Sequence, residues 1–151
     1  MNPRALRAHL ELYKAIVFQK SSLSRVMRER IGVVVSAANR CRYCVSHHAE
    51  ALLALHDEPA IIDALGRCEI PETIAPAEAA MLRWAKRGAE EPASCSEAEV
   101  RLLRSHGFDD RALLDAVLTV GYFAFVNRLV LMLGVNVEPD FQETCRNVEV
   151  E

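Results

Sequence analysis

Apolar residues recur at intervals of three and four along most of the chain, the spacing that places them on one face of an α-helix. In the first segment, Leu6, Leu10, Tyr13 and Val17 fall on such a face. The strict alternation of apolar and polar residues that marks a strand is almost absent. The pattern therefore predicts an all-α fold, with helices over residues 3–18, 24–38, 41–55, 57–66, 76–88, 96–107 and 111–133.

Residues that begin and end helices support these boundaries. Pro3 and Pro76 are suited to first helical turns, and Ser96 with Glu99 has the sequence of a capping box. Gly134 follows the final segment, where a glycine commonly ends a helix. Residues 90–96 are predicted to form a loop, and the chain has no internal repeat. We expect one domain over residues 1–151, a bundle of about seven or eight helices.

The final helix carries the longest apolar run, residues 116–126, which is shorter than the roughly 18 residues that a membrane span needs. Residues 112–133 are apolar nearly all round, and a chain of 151 residues would struggle to cover such a helix on every side. The segment therefore predicts a deeply buried helix or an interface helix of a homo-oligomer, and not a membrane span.

Composition narrows the class of function. Hydrophobic residues make up 51% of the chain and charged residues 26%, as in ordinary globular proteins. The net charge is −3 with no block of like charges, so nucleic-acid binding is not expected. The N-terminus lacks the continuous apolar region of a signal peptide, and we expect a cytoplasmic protein.

The five cysteines indicate intracellular chemistry, because an odd count without a signal peptide argues against a secreted disulfide framework. Cys41 and Cys44 form the one close pair in the sequence. Cys68, Cys95 and Cys145 are scattered, and we expect them to be small buried hydrophobes or surface thiols.

Cys41 and Cys44 lie three residues apart at the predicted start of a helix, so they share a face and could close a disulfide. Backbone N–H groups and the helix dipole at such a position stabilise a thiolate, the reactive form of cysteine. Arg40 and Arg42 add positive charge. His48, one turn after Cys44, is placed to exchange a proton with it.

A histidine that acts as a base needs a third group to fix its tautomer. Glu29 is the candidate, because it lies among apolar neighbours in the preceding helix. The break at residues 39–40 lets the two helices fold back on each other. A carboxylate buried there would need a partner.

From the residues alone, redox chemistry, metal binding and plain packing all remain open for the cysteine pair. Structural zinc usually takes two close ligand pairs, and no second pair follows. A metal set of unusual spacing would consist of Cys41, Cys44, His48 and one of His47, His56 or Glu29. Val45 stands where a c-type haem site has histidine, and no strand precedes the pair as in thioredoxins.

The remaining polar and aromatic residues are expected to be structural. Asn127 and Arg128 interrupt the apolar final helix and predict a buried hydrogen bond and an interface ion pair. Trp84 is expected in the core. Four histidines are expected on helix surfaces: His9, His47, His56 and His106.

Two stretches of sequence resemble one known family. Eleven residues separate Glu29 from Cys41, and three separate Cys44 from His48. The peroxidase-related members of that family are similar to this chain in two segments. These are residues 35–44, VSAANRCRYC, and residues 107–134, which include YFAFVNR. Over most of its length the chain resembles the alkylhydroperoxidase D-like (AhpD-like) branch of the carboxymuconolactone decarboxylase superfamily.

The resemblance implies an all-α fold, an obligate homo-oligomer (dimer, trimer or hexamer) and a peroxidase activity that needs no haem, flavin or other cofactor. By position, Cys44 matches the cysteine that attacks peroxide and Cys41 the one that resolves it as a disulfide. His48 and Glu29 match the proton relay. Tyr43, an accessory candidate, stands where the founding alkylhydroperoxidase has a second histidine, which leaves rate and substrate open.

The resemblance thus predicts a thiol-dependent peroxidase, an oxidoreductase whose partners are a small hydroperoxide and a dithiol or protein-thiol reductant, with no nucleic acid or membrane involved. Lactone decarboxylation is not expected, because that branch mostly lacks the cysteine pair. One alternative is a disulfide reductase or redox adaptor with little peroxidase activity. Another is a metal-binding or structural helical protein.

Overall fold

The computed structural model describes residues 2–139 and 141, which form seven α-helices and no strand. The all-α prediction is confirmed, and the helix ends differ from the predicted ones by one or two residues. The helices are α1 (Pro3–Val17), α2 (Arg25–Ala38), α3 (Arg42–Ala54), α4 (Pro59–Gly66), α5 (Pro76–Glu90), α6 (Glu97–Ser105) and α7 (Asp110–Leu133), with a short 3-10 turn at Pro92–Ser94.

The helix ends are fixed by the capping residues that the sequence displays. Ser96 and Glu99 form both bonds of the capping box at the start of α6. The Asp109 carboxylate accepts a hydrogen bond from the N–H of Ala112 at 2.7 Å, which begins α7. Gly134 ends α7 with a φ of +63°, a left-handed conformation that glycine adopts without steric cost.

The central element of the bundle is α2, which packs against α3, α4, α5 and α7. Residues 27–36 of this helix are all buried. A helix enclosed in this way must give each of its polar side chains a partner. Arg30, for example, forms ion pairs with Asp57 and Glu78, which tie α2 to its neighbours. The buried Glu29 and its partners form part of the site described below.

A tight turn joins α2 to α3 and folds the two helices back on each other. Arg40 adopts a left-handed conformation with a φ of +60°. Its N–H donates to the carbonyl of Ala37 at 2.9 Å, and the N–H of Cys41 donates to the carbonyl of Ser36 at 2.8 Å. These two bonds satisfy the last carbonyls of α2, and they place Cys41 directly before the first turn of α3.

The last helix, α7, spans 24 residues, with a mean hydropathy of 1.8 over its most apolar 18-residue window, 33% of which is buried. By length and composition alone it could cross a membrane, although a long core helix of a soluble protein meets the same criterion. The uninterrupted apolar run of residues 116–126 is too short for a span, but the helix continues beyond Asn127 to Leu133 and as a whole is long enough.

One face of α7 packs on the core, and the opposite face presents apolar side chains to solvent. The exposed residues recur at helical spacing, so they form a continuous stripe, here called the α7 outer face. It consists of Leu114, Val117, Leu118, Phe125 and Leu129, each at least 40% exposed.

Candidate active site

The two cysteines of the predicted redox pair meet at the N-terminal end of α3. Cys41 occupies the capping position, and Cys44 lies in the first turn. Both are buried, with 0% and 4% of their surface exposed, and both are free thiols. The side chain of Cys41 is hydrogen-bonded to that of Cys44. The two sulfur atoms are therefore adjacent and are not joined by a disulfide.

The environment of Cys44 differs from the one that its position at a helix start predicts. Burial, and after it the hydrogen bond with Cys41, raise the pKa of this thiol to about 12, although the hydrogen bonds from Asn127 and from the local backbone lower it. The helix dipole and the neighbouring arginines, which favour a thiolate, are the features visible in the sequence. In the reduced pair, desolvation outweighs both, and Cys44 is a protonated thiol near neutral pH.

Asn127 opposes this shift. Its hydrogen bond to Cys44 lowers the pKa of the thiol. The side chain is fully buried and fixed on both sides, because its amide nitrogen donates to Ser36 Oγ at 3.1 Å and its amide oxygen accepts from Asn39 Nδ2 at 2.9 Å. The buried hydrogen bond expected for Asn127 is confirmed, and the contact with Cys44 adds a role that the sequence did not indicate.

Glu29 and His48 form the predicted pair across the α2–α3 interface. His48 Nδ1 and Glu29 Oε2 are 2.7 Å apart, and the two residues are 8% and 1% exposed. Burial raises the pKa of the Glu29 carboxyl, but the hydrogen bond and charge of His48, together with Arg25, lower it more. The carboxylate is therefore ionised and must accept the proton on Nδ1, which leaves Nε2 as the imidazole atom available for proton transfer.

Glu29 has a second partner that the sequence argument missed. Arg25 lies one turn earlier on α2, and its guanidinium contacts the other carboxylate oxygen of Glu29 at 2.6 Å. The guanidinium also stacks over the ring of Phe18, 3.8 Å from the ring centroid. The spacing of four residues between Arg25 and Glu29 is the signal that could have revealed this pair.

The position of the His48 ring is set by close packing on both sides. A Cβ atom placed on Gly32 would lie 2.8 Å from both Cε1 and Nδ1 of His48, so the imidazole rests directly on the glycine. The ring of Phe123 packs edge-on against it, 4.2 Å between centroids. The hydrogen bonds among residues 2–139 and 141 include none between the His48 ring and either cysteine of the pair. His48 thus lies one turn from Cys44, held in place by Glu29 and Gly32.

Tyr43 points toward the chain that follows α7. Its hydroxyl is 3.2 Å from Glu138 Oε1, and its ring lies 4.3 Å from that of His47. His47 in turn packs edge-on against Phe141 at 4.5 Å. The surface position expected for His47 is therefore wrong, since it is half-buried, and burial lowers its pKa. The residues after α7 cover this side of α3.

The other residues singled out from the sequence lie away from this centre. Trp84 packs against the core as expected, and Arg128 donates to the carbonyl of Ala124, so the described residues give it no ion pair. His56 and His106 are exposed as expected, whereas His9 is half-buried and stacks on Tyr122. Cys145 lies outside the described residues.

Cys68 and Cys95 are half-buried free thiols, and burial raises the pKa of each. Neither lies in the described contacts of the Cys41–Cys44 pair. Within the part of the chain that the structure describes, no group of three or more His, Cys, Asp or Glu side chains is arranged to hold a metal ion. The unusual metal set built on Cys41, Cys44 and His48 is therefore not assembled here.

Comparison with known proteins places this site in a family. The family model of the carboxymuconolactone decarboxylase family matches residues 3–87, a segment that contains Glu29, both cysteines of the pair and His48. A search of curated proteins finds no match.

Three solved structures share the fold. An uncharacterised peroxidase-related protein from Silicibacter sp. TM1040 is 30% identical, with 93% of this chain and 74% of the other covered and a TM-score of 0.84. An uncharacterised peroxidase-related protein from Ralstonia eutropha JMP134, described as an alkylhydroperoxidase AhpD core, is 29% identical (95% and 76% covered, TM-score 0.87). The debrominase Bmp8, at 22% identity (98% and 78% covered, TM-score 0.80), is similar in fold alone.

The family match covers more than half of the chain, and the first solved relative aligns over nearly all of it. The chain therefore belongs to the carboxymuconolactone decarboxylase family and, within it, to the AhpD-like proteins.

Proposed function

We propose that this protein is a thiol-dependent peroxidase that reduces small hydroperoxides through Cys41 and Cys44. The observation that carries the proposal is the adjacency of two reduced, buried thiols one helical turn from a histidine whose tautomer is fixed by an ionised, buried carboxylate. Such an arrangement supplies a nucleophile, a resolving thiol and a proton carrier.

The reaction begins with removal of the Cys44 proton, which His48 accepts at Nε2 while Glu29 stabilises the imidazolium. The thiolate of Cys44 attacks the outer oxygen of the hydroperoxide, the O–O bond breaks, and the alkoxide leaves with a proton from His48 as an alcohol. Cys44 is oxidised to a sulfenic acid. Asn127 stabilises the thiolate because it donates a hydrogen bond to the sulfur.

Cys41 completes the oxidative half of the cycle. Its thiol condenses with the Cys44 sulfenic acid, which forms the disulfide and releases water. An external dithiol or protein thiol then reduces the disulfide by exchange through a mixed disulfide, and the reductant is oxidised in turn. No haem, flavin or metal enters these steps.

The test is hydroperoxide consumption by the purified protein with a dithiol reductant. We expect turnover that Cys44→Ser abolishes and that Cys41→Ser slows, because the sulfenic acid then lacks its internal resolving thiol and must react with the external dithiol. Cys95→Ser, a matched substitution of a half-buried thiol outside the pair, is expected to leave turnover unchanged. Full turnover in Cys44→Ser would refute the assignment.

The raised pKa of Cys44 also favours a second candidate, a disulfide reductase or redox adaptor with little peroxidase activity. A Cys44 thiol that is protonated near neutral pH attacks peroxide slowly, and the adjacent Cys41 and Cys44 thiols are placed to close a disulfide after exchange with an incoming one. Rapid disulfide exchange together with negligible peroxide consumption would favour this candidate. Stoichiometric zinc in protein purified under reducing conditions would instead support the metal-binding alternative.

We further propose that the protein acts in the cytoplasm and as a homo-oligomer. A cytoplasmic location fits a cycle that depends on thiol reductants. The α7 outer face supports an oligomer, because a continuous apolar stripe on a small protein is costly to leave in water. The oligomer that we propose is a dimer, a trimer or a hexamer.

A further inference from the structure

A cavity of about 400 Å³ opens beside the cysteine pair, and Cys41 forms part of its wall. This volume is within the range of small-molecule sites. It lies between the N-terminal end of α3 and the chain that leaves α7 at Gly134. Of the two cysteines, Cys41 lines this cavity, and Cys44 lies three residues further on in the first turn of α3.

Two of the cavity's walls differ sharply in character. One wall is apolar and comes from the end of α7 and the residues after it: Val130, Leu131, Val135 and Val137. The opposite wall carries Arg40 and Arg42, which flank Cys41 in the sequence. None of the described residues that line the cavity is acidic. This described lining is therefore basic, although the chain as a whole carries a net charge of −3.

The two guanidinium groups make no ion pair among the residues that the structure describes, whereas Arg25 and Arg30 on the neighbouring helix are both paired with carboxylates. Arg40 and Arg42 are exposed, so water solvates their charges and little free energy is lost by leaving them without an ion-pair partner. An acidic residue near the lining, Glu138, contacts Tyr43. A guanidinium pair without a carboxylate partner, beside an apolar wall, is suited to an amphipathic anion.

We propose that this cavity binds a hydroperoxide that carries a carboxylate a few bonds from its peroxy group, with an apolar body between them. The carboxylate pairs with Arg40 and Arg42, the apolar body packs against Val130 and Leu131, and the peroxy group lies at the cysteine pair. The spacing must be short, because both arginines are sequence neighbours of Cys41. This proposal rests on the proposed peroxidase function and names the substrate class for it.

The charge preference can be measured with two substrates that differ in little else. They are 4-carboxycumene hydroperoxide and its methyl ester, assayed with an uncharged dithiol as reductant so that any preference belongs to the peroxide. We expect the acid to be reduced with a kcat/KM at least about tenfold above that of the ester, a preference that weakens at high salt. In the double variant Arg40→Met, Arg42→Met, the ratio of acid to ester should fall to near one.

Arg7→Met is the control, since Arg7 is an exposed arginine on α1 that does not line the cavity, and the variant loses a positive charge there. It should keep the preference for the acid. Equal rates for acid and ester in the unmodified protein would overturn the proposal, and so would a preference that survives the double variant.

A binding measurement separates this proposal from the proposed function. Calorimetry with 4-isopropylbenzoate, which has no peroxy group, should detect binding that the double variant loses and that methyl 4-isopropylbenzoate does not show. If neither hydroperoxide is consumed but the benzoate binds in this way, the peroxidase function fails and the anion site stands. If both hydroperoxides are consumed and the benzoate does not bind, the peroxidase function stands and the anion site fails.

Discussion

Cys44 is almost fully buried, and its pKa is raised to about 12 chiefly for that reason. A thiol held in this way is protected from adventitious oxidation, because the thiolate is the form that reacts. Its reactivity then depends on a small number of neighbours that shift the balance between thiol and thiolate. Cys41 and Asn127 act in opposite directions on that balance.

Cys41→Ala should lower the pKa of Cys44, because the hydrogen bond with Cys41 is a contact that raises it. Below its pKa a thiol is mainly protonated, so a lower pKa means more thiolate at pH 8. We expect at least about a tenfold gain, which corresponds to one pKa unit. The measurement is the pH dependence of Cys44 alkylation by iodoacetamide, followed by peptide mass spectrometry. A midpoint that stays in place or moves to higher pH would contradict this interpretation.

Asn127→Leu should move the same midpoint in the opposite direction, since the amide contact that lowers the pKa of Cys44 is lost. Alkylation at pH 8 should therefore slow. The variant also leaves Ser36 and Asn39 without their partner, which should cost about 1–3 kcal/mol in the free energy of unfolding. If alkylation of Cys44 became faster in Asn127→Leu, the assigned role of the amide would be wrong.

At the scale of elements, the site depends on how closely α2 and α3 approach each other. The tight turn at Arg40 folds α3 back along α2, and Gly32 allows the His48 ring to lie directly against the α2 backbone. Only at this separation can a carboxylate on α2 reach the imidazole of α3 at 2.7 Å. The relay is therefore a property of the helix pair and not of either helix alone.

Gly32→Ala tests this dependence. The new methyl group would lie 2.8 Å from two ring atoms of His48, so the imidazole must move away from Glu29. We expect peroxide turnover to fall at least about tenfold, since small displacements of a proton carrier have large effects on rate, and we expect the pH profile of turnover to change.

Gly88→Ala is the matched control. A Cβ at Gly88, also within a helix, would meet its nearest atom at 3.5 Å, an ordinary contact. This variant should keep full turnover and gain up to about 1 kcal/mol in unfolding free energy. Unchanged turnover in Gly32→Ala, with a stable fold, would show that the His48 position is not critical.

The sequence predicts the helices and four of the site residues because both depend on local spacing. Caps and apolar periodicity mark the helix ends, and Glu29, Cys41, Cys44 and His48 lie within one helix-turn-helix segment. Asn127 could not be assigned in this way, since its contact with Cys44 joins segments far apart in the chain. Nor can spacing reveal desolvation, which is why the raised pKa of Cys44 differs from the sequence-based expectation.

At the scale of the whole molecule, the α7 outer face is the feature that the described chain leaves without cover. The buried face of the same helix carries Asn127 and Phe123, which contact the site. The same helix therefore supports the reactive centre on one side and, in our proposal, a second copy of the chain on the other.

Light scattering at micromolar concentration should give a mass above that of a monomer. The double variant Leu118→Glu, Leu129→Glu, which places charges on the α7 outer face, should shift the protein toward the monomer. Leu102→Glu is the control, because Leu102 is 51% exposed on α6, away from this face, and its replacement should leave the mass unchanged. A monomeric unmodified protein at this concentration would remove the argument for an oligomer.

The central claim, that Cys44 is the thiol that hydroperoxide oxidises, is tested most directly by trapping the product of one turnover. Cys41→Ser lacks the resolving thiol, so a sulfenic acid formed on Cys44 should persist. The variant is treated with one equivalent of cumene hydroperoxide and then with dimedone, and the modified peptide is identified by mass spectrometry. A dimedone adduct on Cys44 is the predicted result, and an unmodified Cys44 after the peroxide has been consumed would contradict the mechanism.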